Sequence, residues 1–377
     1  MKSLYFRNLN GVRFIAAAMV MLHHFNYNSK LFDSIFYLNF VEKIGKLGVV
    51  LFFTLSGFLI TYLLLLEKET QSDINIKSFY IRRILRIWPL YFFIVLLSLF
   101  VLNEVIYFQI PGLSASINSH FYQKIVLYVF MLPNVAYAFG YNLPYADQCW
   151  SIGVEEQFYL FWPLLLKKFK NPLYPIIAVI ITYLIIKTLF IIFNNYNHYS
   201  YFEKVFYLIF VSNFSTMAIG GLAALALFKK SILLKFIQYK AIQVLIFTLA
   251  IVFTLLGVNF SYFNFEIYAI VFALIILILT NSSSILSLEV QPLIYLGKIS
   301  FGLYMYHNMA IRIADLISFR IQYLKTSTIS KNFLMFTITF FLASISYNFF
   351  EKWFIKRKLY YSVIISGDNI NTKLNAS

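Results

Sequence analysis

The sequence predicts an all-α, polytopic membrane bundle of about ten transmembrane helices plus one re-entrant or interfacial segment. Two observations carry this reading. Hydrophobic residues make up 61% of the chain and mean hydropathy is +0.76. Charged residues are only 12%, against roughly a quarter in soluble domains. The apolar residues also fall into runs close to the about 20 residues that cross a hydrocarbon core. The net charge of +16 does not imply nucleic acid. Its Lys and Arg lie in loops between the runs, where the positive-inside rule places them. Cys149 has no second cysteine to pair with.

The apolar runs are, in order, roughly 10–28, 46–66, 80–102, 121–139, 151–168, 173–193, 204–228, 240–258, 264–281, 297–317 and 332–355. No small-residue cleavage pattern follows the first, so it is expected to be a retained span. Lys68, Lys77, Arg82 and Arg83 place the 67–83 loop in the cytoplasm, and the N-terminus with Lys2 and Arg7 follows it. If every run crossed, the clusters at Lys167, Lys168, Lys170 and at Lys229, Lys230, Lys235, Lys240 would lie outside. Both move inside if one run does not cross. The weakest is 121–139, interrupted by Pro133 and Asn134. Ten crossings with both termini cytoplasmic are therefore expected. Lys356, Arg357 and Lys358 agree; Arg320, Lys325 and Lys331 do not. One membrane domain over 1–358 precedes a short polar cytoplasmic tail over 359–377.

Five stretches carry chemistry. Arg13 and His24 stand eleven residues apart in the first run. At 3.6 residues per turn they share a helix face, about 16 Å apart. An ionisable group at that depth is costly and marks a functional site by default. The plain alternative is a snorkelling arginine with a hydrogen-bonded structural histidine. His23 points about 100° away and is expected to face a neighbouring helix. The second stretch, Gly48 to Leu59, contains Ser56 and Gly57. Small residues there favour close helix packing, and no base adjoins Ser56 in sequence.

The third stretch is Arg82-Arg83-Ile84-Leu85-Arg86. Arg83 and Arg86 are neighbours on one face by i,i+3 spacing. Topology alone explains any cation at this point. It does not explain three arginines with no lysine, and arginine's planar fork suits phosphate. The fourth is Trp150 to Tyr159, in which Glu155 and Tyr159 share a face. The carboxylates are either solvated at the surface or paired with a buried cation or histidine. The fifth is Leu296 to His307, where Ser300, Tyr304 and His307 form a polar stripe at i, i+4, i+7. His24, Glu155 and His307 lack the ligand-pair spacing of a zinc site, and no metal is expected.

Taken in order, these five stretches resemble the membrane-bound acyltransferase-3 family, bacterial O-acyltransferases of surface and secreted sugars. Phe350-Glu351-Lys352 is similar, more loosely, to the family's last motif. The likeness covers about residues 8–357. Asn10 stands where the family usually has Asp, and Phe301 where it often has Tyr.

The resemblance implies an inner-membrane enzyme with its site inside a ten-span bundle. It implies acyl transfer, usually acetyl from acetyl-CoA on the cytoplasmic side. The acceptor would be a hydroxyl of a sugar or lipid-linked glycan, as in polysaccharide or lipopolysaccharide O-acetylation. His24 would be general base or transient acyl carrier. Arg13 would hold a carboxylate or acyl carbonyl, and Arg83 and Arg86 the phosphates of CoA. Glu155 would orient His24 or pair with an arginine, and His307 would bind the acceptor. A transporter of acylated saccharides is the competing class, since deep His, Glu and Arg also mark substrate pathways. No paired broken helices at corresponding positions in two halves support it. A non-catalytic scaffold leaves the intramembrane histidines unexplained.

Overall fold

A computed structural model describes residues 3–30, 39–110, 119–194, 200–321 and 327–366. It is helical throughout, apart from a two-residue parallel pair, Ser3–Leu4 with Ile365–Ser366. That pair joins the two ends of the described chain. The helices are α1 (Leu9–Lys30), α2 (Asn39–Gln71), α3 (Ile76–Leu97, continued by a π turn at Ser98–Leu102), α4 (Phe121–Val129) and α5 (Pro133–Phe139). Then come α6 (Trp150–Lys168), α7 (Leu173–Asn194), α8 (Ser200–Ser212), α9 (Phe214–Phe228), α10 (Leu233–Phe236) and α11 (Lys240–Leu255). The last are α12 (Asn264–Thr280), α13 (Gln291–Lys298), α14 (Ser300–Arg320), α15 (Thr328–Ser346) and α16 (Lys352–Lys358).

Among the described residues, 6 helices are long and apolar enough to cross a membrane. They are Lys43–Gln71, Ile76–Leu102, Leu173–Phe193, Phe202–Phe228, Ser261–Thr280 and Thr328–Tyr361. The sequence expectation of about ten is thus not reached by length and composition alone. Helices α1, α6 and α14 have spanning length, at 22, 19 and 21 residues, but are not in this set. They bear Arg13, His24, Glu155, Glu156 and His307, and the same polar residues lower their hydropathy. The run at 121–139 is broken into α4 and α5 at Met131, whose φ is 58°. At 9 and 7 residues, neither piece reaches across a hydrocarbon core of about 30 Å. Residues 359–366, assigned to the tail by sequence, form a 3-10 turn at Leu359–Tyr361 and the second strand. Residues 367–377 lie outside the described part.

Lipid-facing surface is legible on the outer helices. Ile181, Ile185, Leu189 and Ile192 of α7 are exposed, as are Val244, Leu245, Ile251 and Leu255 of α11. Apolar surface on that scale fits a hydrocarbon solvent, not water. Inside, α2 and α9 cross at two glycines that face each other's backbone. A Cβ on Gly57 would lie 1.8 Å from the Met217 carbonyl oxygen, and one on Gly220 1.9 Å from that of Thr54. Such reciprocal approach is how membrane helices gain dispersion contact without a hydrophobic drive. Trp162 of α6 donates to Thr61 Oγ1 at 2.9 Å, tying α6 to α2. Lys68 caps the end of α6 by donating to the carbonyls of Leu166 and Phe169 at 2.7 and 2.8 Å, favourable at a helix C-terminus.

One ion pair lies deep among α7, α9 and α12. Lys187 Nζ meets both Glu266 oxygens at 2.8 and 2.9 Å, and Ser215 donates to the same carboxylate at 3.0 Å. The ammonium also lies 4.7 Å from the Phe210 ring centroid.

Candidate functional site

Helices α1, α2, α3, α6 and α14 enclose a cavity of about 140 Å³. Its lining brings together Arg13, Ser56, Arg83, Arg86, Glu155, Tyr159, Ser300 and Tyr304. Four of the six residues given roles by sequence, Arg13, Arg83, Arg86 and Glu155, therefore line one cavity. The helical register explains this: each sits on the face of its helix turned inward, where polar groups find partners instead of lipid.

Cations crowd one end. Arg13 donates to Asn10 Oδ1 at 3.0 Å. Asn10 is neutral where the related motif has Asp, so the partner that orients the guanidinium here is an amide. Arg83 lies over the rings of Phe79 and Tyr159, at 5.7 and 5.9 Å, and its Nε is buried without a hydrogen-bond partner. Arg82 differs from its neighbours. It pairs with Glu67 at 2.9 Å and donates to the Tyr361 carbonyl at 2.7 Å, so only Arg83 and Arg86 of the three face the cavity.

On the opposite wall, Ser56 donates to Glu155 Oε1 at 2.6 Å. Residues 99 apart in sequence thus form a hydroxyl–carboxylate pair that local spacing could not reveal. Glu155, expected either to orient His24 or to pair with an arginine, bonds Ser56 and does not reach His24. Glu156 accepts from Trp88 Nε1 at 3.0 Å and keeps its other oxygen buried without a partner.

His24 and His307 do not line the cavity. They lie beyond it as a pair, with ring centroids 4.9 Å apart. Tyr304 separates the two regions. Its ring lies 5.8 Å from His307 and 6.0 Å from Phe52. Its hydroxyl donates to the Gln148 carbonyl at 2.8 Å and bonds Ser151 Oγ at 2.7 Å. His307 is fully buried, with Nδ1 2.5 Å from the Tyr304 carbonyl. A carbonyl only accepts, so Nδ1 carries the proton and Nε2 the lone pair. Nε2 has no hydrogen-bond partner. His23 packs on Gly45 of α2, where a Cβ would come within 2.5 Å of its ring. Past the histidines, Asp315 of α14 accepts from Asn28 of α1 at 3.0 Å and pairs with Lys331 of α15 at 2.7 Å. Among the described residues, no three His, Cys, Asp or Glu side chains converge as a metal site.

The arrangement is a polar column with cations at one end, a hydroxyl–carboxylate pair midway and two imidazoles beyond a tyrosine. Comparison with known proteins gives it a family. The sequence model of the acyltransferase domain Acyl_transf_3 matches residues 6–348. The chain belongs to this family. It is 33% identical over 177 residues to the peptidoglycan O-acetyltransferase OatA of Listeria monocytogenes, covering 45% of this chain and 26% of that protein. It is 26% identical over 370 residues to the putative peptidoglycan O-acetyltransferase YrhL of Bacillus subtilis, covering 92% of this chain and 54% of that protein. A putative O-acetyltransferase of Staphylococcus aureus, SACOL0978, is 30% identical over 44% of this chain and 25% of its own length. The chain thus spans about half or less of the relatives it matches. Those names describe enzymes and lend no support to the transporter alternative. No solved structure matches.

Proposed function

We propose that the chain is the membrane-embedded catalytic part of an O-acetyltransferase. In this reading acetyl-CoA binds from the cytoplasm, and the acetyl group passes to a hydroxyl of a cell-surface sugar, peptidoglycan among the candidates. The observation that carries it is the column itself, with Arg13, Arg83 and Arg86 in the cavity and the His24–His307 pair beyond Tyr304. Phosphates of the donor take the guanidiniums, and the pantetheine arm points the thioester along the cavity. The Glu155 carboxylate is placed to receive a proton from Ser56 or an incoming hydroxyl. His24, next to His307, activates the acceptor or carries the acetyl group.

The direct test is mass spectrometry of cell-surface glycans with and without the gene. Loss of O-acetyl groups supports the reading, and an unchanged acetylation pattern overturns it. The donor half is tested by Arg86→Lys. An ammonium loses the bidentate fork, so apparent affinity for acetyl-CoA in membranes should fall about tenfold. Unchanged affinity would leave Arg86 with only a topological role.

The orientation belongs to the same reading. Counting α1, α6, α14 and the short α11 with the six apolar spans gives ten crossings in an inner membrane, both termini inside. Reporter tags at Gln71 and Lys235 should then read cytoplasm, and one at Tyr262 the outside. An external signal from Lys235 would sink the ten-crossing topology.

A further inference from the structure

A second, smaller cavity adjoins the first at Arg83, and it holds a cation that sequence reading did not single out. Its lining includes Glu67, Arg82, Arg83, Lys358, Ser362 and Ile364. Lys358 closes α16, at the point where the chain turns back over the cavity mouth. Its ammonium lies within electrostatic reach of Arg83, Arg86, Arg13 and Arg82. Five basic side chains therefore converge. Of the nearby acids, Glu67 is engaged by Arg82, Glu156 is bonded to Trp88 near Arg83, and Glu351 lies near Arg86 with a bond from Ser346 at 3.2 Å. Among the described residues, none forms an ion pair with Lys358.

The segment after Lys358 is fastened across the mouth. Ser362 donates to the Lys358 carbonyl at 2.9 Å, Arg82 holds the Tyr361 carbonyl, and Ile365–Ser366 pairs with Ser3–Leu4. Ser362 and Ile364 line the small cavity on one side and a surface cleft of about 440 Å³ on the other. The small cavity thus shares Ser362 and Ile364 with the cleft and Arg83 with the large cavity, and Lys358 lines it between them. A flexible point charge among four guanidiniums raises their mutual repulsion. A ligand with several phosphates offsets that repulsion, and a neutral or singly charged one does so far less.

We propose that Lys358 is a binding residue of the donor site, contacting the phosphates at the nucleotide end of acetyl-CoA while Arg83 and Arg86 take those nearer the pantetheine. It ends α16, beyond residue 348, where the family match ends. The proposal rests on the acetyl-CoA reading above.

The test uses full-length protein in membranes and two donors. One is acetyl-CoA; the other is S-acetyl-phosphopantetheine, which keeps one phosphate and lacks the nucleotide. Lys358→Gln should raise KM for acetyl-CoA about tenfold, the value of a charge-assisted contact, and change kcat by less than about twofold. KM for S-acetyl-phosphopantetheine should stay within about twofold, so preference between donors narrows. Lys358→Arg should restore it, and Lys356→Gln, exposed two residues away, should behave as wild type. If wild type uses acetyl-CoA but Lys358→Gln keeps its donor preference, the proposal is overturned and the acetyl-CoA reading stands. If wild type uses neither donor, the acetyl-CoA reading fails and the proposal with it. Equal loss with both donors, unrepaired by Lys358→Arg, would make Lys358 a packing residue and also overturn the proposal.

Discussion

His24→Asn should reach the membrane at near-normal abundance and lose acyl transfer by at least ~100-fold, the lower range for removing acid–base catalysis. Asn keeps similar size and can hydrogen-bond, but it neither takes a proton nor carries an acyl group. The structure sharpens the case. His24 meets His307 with ring centroids 4.9 Å apart, and the Tyr304 carbonyl fixes the tautomer of His307, which leaves its buried Nε2 lone pair without a hydrogen-bond partner. His23→Asn should keep most activity, because His23 packs on α2 at Gly45. Abundance and glycan acetylation measured together decide the outcome. A His24→Asn protein that inserts and still acetylates would remove His24 from the chemistry. Loss of protein along with activity would make it structural.

Glu266→Leu should have the largest effect on the fold. Lys187 and Glu266 side chains are 1% and 7% exposed, and Ser215 bonds the same carboxylate. Removing one partner of such a pair strands the other charge, at about 3–5 kcal/mol. Replacing both by apolar residues removes the stranded charge, so Lys187→Met with Glu266→Leu should recover most of the loss. Thermal stability in detergent and membrane abundance would show the contrast. A single variant as stable as the double one would show that the pair does not hold α7 to α12.

Much of this is legible in the sequence. Arg13, Arg83, Arg86 and Glu155 were visible because an ionisable group in an apolar helix is expensive and must face inward, and helical register then groups them. Lys187 carried the same signal, a lysine inside the run 173–193, and could have been flagged by that rule. Other features had no local trace. Ser56 meets Glu155 only after α2 and α6 pack. Lys358 reads as one of three cations in Lys356-Arg357-Lys358, and topology accounts for all three. Which of them turns inward depends on how the chain folds back after α16. Depth has no local trace either, because shared polarity does not specify it. Glu155 sits in the cavity, and His24 lies past Tyr304.

Tyr304 has a consequence for the membrane as an electrical insulator. A polar column through a bilayer is a potential leak, since one elementary charge crossing 100 mV releases about 2.3 kcal/mol. In this chain the column is interrupted. The Tyr304 hydroxyl is committed to Gln148 and Ser151, and its ring rests against Phe52. Tyr304 thus stands between the arginine end and the histidine end with its polar group already bonded. On the proposed function, an acetyl group passing Tyr304 is uncharged and does no work against the membrane potential.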